Sequence, residues 1–188
     1  MSIQHKHVFL SGEIQIGKST ALRRFLAQTG IAADGFLTFF DPPFADTPDA
    51  PRHLSARALY LTKFDTALTP ESRASESRHL LARVSEAEFT VLTETFETRG
   101  ADILDAAGQR RLLLMDELGA MEEGAPRFKA AVLRRLDADF PIAGVVKLRA
   151  SPFLDAVRAH PNVELLTVTA ENRDAIPAAL AARFAHLR

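Results

Sequence analysis

Val8-Phe9-Leu10-Ser11-Gly12-Glu13-Ile14-Gln15-Ile16-Gly17-Lys18-Ser19-Thr20 carries a short apolar strand directly into the pattern G-x-x-x-x-G-K-S. This is a Walker A phosphate loop in the strand-to-helix setting it requires. Gly12 and Gly17 let the backbone turn sharply and approach an anion, so that successive N–H groups from Glu13, Ile14, Gln15 and Ile16 onward point at phosphates. Lys18 supplies a mobile cation for the β- and γ-phosphates, and Ser19 a hydroxyl for Mg2+. The helix that starts here, with Thr20 in its first turn, directs its positive end at the same anions. Residues 20–27 follow with apolar side chains at helical spacing. Gln15 departs from the commoner loop, which has Gly near that point; a side chain there narrows the loop or demands a strained φ.

The remaining composition bounds the molecule. A chain of 188 residues has the length of one sizeable domain with a real core. A net charge of −1 and a pI near 6.6 exclude a global basic field, so no nucleic-acid or membrane surface is expected and an anion site must be local. The chain has no Cys, which excludes disulfides, thiol nucleophiles and thiolate metal sites. No signal-like segment or bilayer-length apolar run is present, and the expectation is a soluble cytoplasmic protein.

Strands and helices alternate along the sequence. Val8 to Ser11 reads as a strand, Lys18 to Gln28 as a helix, and Gly35 to Phe40 as a strand with Ala58 to Leu61 returning as its hairpin partner. Four prolines between Asp41 and Pro51 disfavour regular structure, and flexible loops are expected near 41–56 and 69–78. His79 to Val84 reads as a strand and Glu86 to Ala107 as one helix with Phe89, Leu92, Phe96, Ile103 and Leu104 inward. Arg111 to Met115 suits a central strand covered on both faces, ended by Asp116-Glu117. A helix over Pro126 to Leu136, a strand over Pro141 to Val146, a short helix over Phe153 to Ala159, a strand over Val163 to Val168 and a closing helix over Asp174 to Leu187 complete the pattern. The expected fold is α/β, a single three-layer αβα domain over 1–188 around a mostly parallel sheet, with an antiparallel insertion between Gly35 and Val84.

The apolar run ending in Asp116-Glu117 has the form of Walker B, with a carboxylate at the carboxyl end of a strand, where ligands sit in open parallel sheets. Asp116 is placed to hold Mg2+ together with Ser19. Glu117 is placed to polarise water for attack on the γ-phosphate, which makes it and Lys18 the candidate catalytic residues. The string Met115-Asp116-Glu117-Leu118-Gly119-Ala120-Met121-Glu122 resembles the D-E-[IL]-G-x-M-E signature of the small nucleoside-triphosphatase family known from hyperthermophiles, which includes the animal cancer-related nucleoside triphosphatase. Val168-Thr169-Ala170-Glu171-Asn172-Arg173-Asp174 is similar to that family's V-T-x-x-N-R-D segment, and Gly35-Phe36 stands where the family has its own G-F. The resemblance implies a phosphate-loop fold of the additional-strand type, in which the Walker A and Walker B strands are not adjacent. It also implies slow Mg2+-dependent hydrolysis of ATP, GTP and related triphosphates to the diphosphate. The chain differs from the family in having Gln15 for Gly, Ser19 for Thr, and a proline-rich stretch in place of a basic glycine-containing one.

Asn172 and Arg173 lie in the loop that passes the base in similar folds. Arg173 would stack on a purine, and Asn172 would either bond a base edge or pin the loop; the plain alternative is a helix cap beside a surface Arg. Glu122 either stands behind the metal or braces the turn at Gly119. Lys147 and Arg149 end the next strand at the same rim, as γ-phosphate cations or as solvated charges. The histidines show no ligand spacing. Two rival functions are a nucleotide or small-metabolite kinase and a nucleotide-binding regulatory module with negligible turnover; the sequence names no protein partner.

Overall fold

The computed structural model describes residues 6–41, 57–68, 72, 76–85, 89–108 and 111–187. The strands are β1 (His7–Ser11), β2 (Ala33–Asp41), β3 (Arg57–Asp65), β4 (Arg78–Val84), β5 (Phe89–Val91), β6 (Leu112–Leu118), β7 (Ile142–Val146) and β8 (Val163–Thr167). The helices are α1 (Lys18–Thr29), α2 (continuous through Thr93–Thr95, a π-helical turn Phe96–Gly100, and Ala101–Ala106), α3 (Pro126–Asp137), α4 (Pro152–Arg158) and α5 (Ile176–Arg183). One mixed sheet has the order β5-β4-β3-β2-β6-β7-β1-β8.

The sheet has two halves. β2, β6, β7, β1 and β8 are parallel, with Leu37 opposite Asp116, Leu10 opposite Val145 and Ser11 opposite Thr167. β7 lies between β1 and β6, so the Walker A and Walker B strands are not adjacent, as the additional-strand type requires. β2 also begins an antiparallel meander through β3, β4 and β5, with Phe40 opposite Leu59 and Val84 opposite Phe89. The antiparallel segment therefore extends one edge of the sheet.

Burial explains why the parallel strands are so apolar. β1 and β7 are buried along their whole length, and β6 is buried apart from Glu117, because helices cover both faces. On one face α2, α3 and α4 meet a core containing Phe36, Phe96 and Phe128, with ring centroids 5.7 Å apart for Phe36–Phe128 and 5.4 Å for Phe96–Phe128. On the other, α1 and α5 press Phe25 and Phe184 together over Val8, Leu10 and Leu114. α1 ends at Gly30, whose φ of 66° lets its N–H reach Leu26 O.

Three sequence expectations are corrected. Phe89 to Val91 is a strand, not helix: its aromatic and β-branched residues pair with the open side of β4, and Leu92 N donates to Leu81 O. Phe89 is consequently 65% exposed, not inward, whereas Phe96 and Leu104 are buried as expected. β6 does not end at Asp116-Glu117; it continues to Leu118, which is buried and pairs with Val146. The closing helix starts at Ile176, because Pro177 lacks an N–H and is tolerated only in a first turn. Glu86 and the expected loop residues 42–56, 69–71 and 73–75 lie outside the described residues.

Candidate functional site

The carboxyl ends of β1, β6 and β7 share one rim, and the phosphate loop rises from β1. Gly12 has φ 143°, and a Cβ there would stand 2.5 Å from Val168 O, so the close approach of the β8–α5 connection demands glycine. Gly17, at φ 106°, turns the chain into α1. Gln15 adopts φ 63°, the left-handed conformation its sequence position raised as a possibility, at a steric cost of about 1 kcal/mol. Lys18 is buried, and its Nζ donates to the loop's own carbonyls, 3.0 Å to Gly12 O and 2.6 Å to Glu13 O. Burial lowers its pKa, and the Glu117 charge works against that shift.

Facing the loop, Ser19 Oγ donates to Asp116 Oδ1 at 2.7 Å. Asp116 is 3% exposed; burial pushes its pKa up to about 6, against the lowering effect of the Ser19 hydrogen bond. A hydroxyl and a carboxylate in contact are hard oxygen donors of the type Mg2+ selects, and two protein ligands leave positions for water and phosphate, so the donor set fits that ion. Glu117 is partly exposed and accepts from Lys147 Nζ at 2.7 Å; its own N–H donates to Thr38 Oγ1 at 3.3 Å.

Behind them Glu122 is 2% exposed and takes the Gly119 N–H on both oxygens, at 3.1 and 3.0 Å. It braces the turn after Walker B. Burial raises its pKa to about 7. A Cβ on Gly119 would come 3.2 Å from Lys147 Cδ, so the lysine stem lies along this turn. Lys147 N donates to Leu118 O at 3.0 Å, and Arg158 Nη1 donates to Lys147 O.

Asn172 Oδ1 accepts from Thr169 N at 2.8 Å, and its Nδ2 donates to Thr167 O at 2.9 Å. The amide therefore spans and pins its own loop, which leaves the base-edge alternative unsupported. Arg173 is exposed. Val168 N donates to Ser11 O at 2.7 Å, which ties this loop to the base of the phosphate loop. The structure thus gathers the Walker A loop, Ser19, Asp116, Glu117 and the Asn172 turn at one rim. It adds Thr38 and the Lys147–Glu117 pair. Strand-end position pointed to Lys147 in the sequence, whereas nothing there signalled Thr38, whose place depends on β2 pairing with β6.

Among the described residues no group of three or more His, Cys, Asp or Glu is arranged to hold a metal. His7 is buried with Nε2 2.9 Å from Leu136 O, and burial lowers its pKa. Cavities of about 330 Å³ beside Phe140 and about 600 Å³ beside Leu92 have no phosphate-loop residue in their walls. No described helix is long and apolar enough to cross a membrane.

The sequence model of a family described as NTPase matches residues 66–181. A relative, nucleoside-triphosphatase THEP1 of Thermofilum pendens, is 36% identical over 103 residues, 53% of this chain; the match spans 57% of that relative's length. The crystal structure of THEP1 from Aquifex aeolicus has a TM-score of 0.67 at 20% identity, covering 94% of this chain and 97% of its own. The solution structure of a human cancer-related nucleoside triphosphatase has a TM-score of 0.68 at 22% identity, covering 97% and 99%. Both share the α/β fold described above.

Proposed function

Because this chain belongs to the NTPase family, whose pattern it matches over residues 66–181, we propose that it is a Mg2+-dependent nucleoside-triphosphatase of the cytoplasm acting on ATP- or GTP-type nucleotides. The observation that carries the reading is the 2.7 Å contact of Ser19 with Asp116 beneath a glycine-framed loop, with Glu117 next in the chain. In this reading the N–H groups of residues 12–20 bind the phosphates, and Lys18 exchanges its bonds to Gly12 and Glu13 for phosphate oxygens. Ser19 and Asp116 would hold Mg2+, which when bound would supply neutralising charge to the triphosphate. Glu117 accepts a proton from the attacking water as its oxygen bonds the γ-phosphorus and the bond to the β–γ bridging oxygen breaks. Asn172 holds the loop on which Arg173 offers its guanidinium plane to the base.

Glu117→Gln is expected to lower phosphate release from ATP and GTP by about a hundredfold or more while triphosphate binding is retained. Release measured without any acceptor also separates hydrolysis from transfer to a second substrate. Wild-type rates in the variant would sink the assignment of Glu117.

A further inference from the structure

Lys147 is anchored from three sides while its charged end stays at the rim. Its N–H is held by Leu118 O, its carbonyl by Arg158, and its stem by the turn at Gly119. Its ammonium donates to Glu117 Oε1 at 2.7 Å, with the Lys147 side chain 34% exposed and that of Glu117 27%. A ligand entering the rim therefore reaches both. Lys18 lies within electrostatic range of the same two groups.

The Glu117 oxygen that meets the ammonium at 2.7 Å has a lone pair occupied, so a water that is to be bonded and polarised by that oxygen needs the ammonium to leave it. A terminal phosphate carries more charge than a carboxylate and offers three acceptor oxygens, so it competes well for the same ammonium. Phosphoryl transfer in turn needs positive charge at those oxygens as the transition state forms.

We propose that Lys147 serves two partners in turn: its ammonium, paired with Glu117 in this structure, passes to the terminal phosphate of a bound triphosphate and so frees the Glu117 carboxylate to take the proton of the attacking water. Occupation of the γ-phosphate position and release of the base are then one event. A diphosphate, lacking that group, leaves the pair intact. The inference rests on the role given to Glu117 above.

Calorimetric titration with ADP and with a non-hydrolysable ATP analogue, in Mg2+ buffer, tests it in wild type, Lys147→Met, Glu117→Gln and the double variant. Lys147→Met is expected to weaken the analogue about ten- to a hundredfold, as loss of a charge-assisted hydrogen bond does, and to leave ADP within about twofold. Glu117→Gln is expected to tighten the analogue in the wild-type background and to have no such effect beside Lys147→Met, the non-additivity of coupled residues. Lys147→Arg is expected to restore most of the preference for the analogue. An unchanged analogue-to-ADP ratio in Lys147→Met, or independent effects of the two substitutions, would overturn the inference. Thermal unfolding checks each variant, and Lys147→Gln replaces the Met variant if that one does not fold. The binding ratios require no turnover. A wild-type protein that releases no phosphate therefore refutes the proposed hydrolysis, while a hydrolysing protein whose ratio ignores Lys147 refutes this inference alone.

Discussion

Gln15 is the one non-glycine residue with positive φ among those described, and it stands in the loop that has to meet phosphate. Gln15→Gly would remove the left-handed penalty but enlarge the freedom of the unfolded chain, so a net gain of at most about 1 kcal/mol is expected in urea unfolding. A loss of stability would mean that the glutamine side chain itself holds the loop. Glu122 has a different signature. Burial raises its pKa from 4.5 to about 7, so between those values the folded protein holds a proton that the unfolded chain has released. Stability accordingly falls as pH rises through that window, by on the order of 3 kcal/mol, and levels off above it. Asp116 moves the same way, between 3.8 and about 6. Urea midpoints from pH 4.5 to 7.5 are expected to show the decline in the metal-free protein, and Glu122→Gln to make it shallower; an equal slope would remove Glu122 as its source. The meeting of Ser19 beside Lys18 with Asp116 was legible in the sequence because G-x-x-x-x-G-K-S is a local pattern that follows a strand, and an apolar run closed by a carboxylate marks the end of another. Thr38 and the Lys147–Glu117 contact were not, because side-by-side strand ends are a property of sheet order.

Among the elements, β2 is the strand that both halves of the sheet share, and its pairing with β6 closes on Gly35. A Cβ at that position would lie 2.1 Å from Leu114 O, and its φ is 139°. Gly35→Ala is therefore expected to cost about 3 kcal/mol or more in urea unfolding, by forcing the strands apart or the backbone out of its conformation. A cost below about 1 kcal/mol would show that the junction yields easily. The central parallel strands β1, β6 and β7 were readable as apolar runs because helices bury both of their faces. β5 was not, because Phe89, Thr90 and Val91 precede a true helical stripe and merge with it in any periodicity count. Only the unpaired side of β4 distinguishes them, and that lies outside local sequence. The boundary of α5 has instead a local cause: Asp174 and Ala175 suit a helix, yet Pro177 belongs in a first turn and Asn172 commits the preceding turn to its own hydrogen bonds.

At the scale of the whole molecule, a ligand that binds the folded chain alone shifts its unfolding equilibrium. A non-hydrolysable triphosphate with Mg2+ at a hundred times its Kd is expected to stabilise the protein by about 2.7 kcal/mol, and to raise Tm by roughly 5–10 °C. Lys18→Met should abolish most of that rise in the same scanning fluorimetry experiment. A full rise in the variant would place the nucleotide away from the phosphate loop. The near balance of charge, −1 overall, leaves little long-range field to draw a nucleotide in, so the rise should depend on the local site and only weakly on ionic strength. The parallel half of the sheet also governs how the protein is made. β1 leaves the ribosome long before its two neighbours, β7 and β8, which lie more than a hundred residues further along the chain. At about 5–20 residues per second, Val8, Phe9 and Leu10 wait on the order of ten seconds for Ile142 to Val145 to emerge. Through that interval the antiparallel pairings of β2 to β5 are already available, while the strand that bears the phosphate loop stays unpaired, an exposed apolar segment of the kind that chaperones hold.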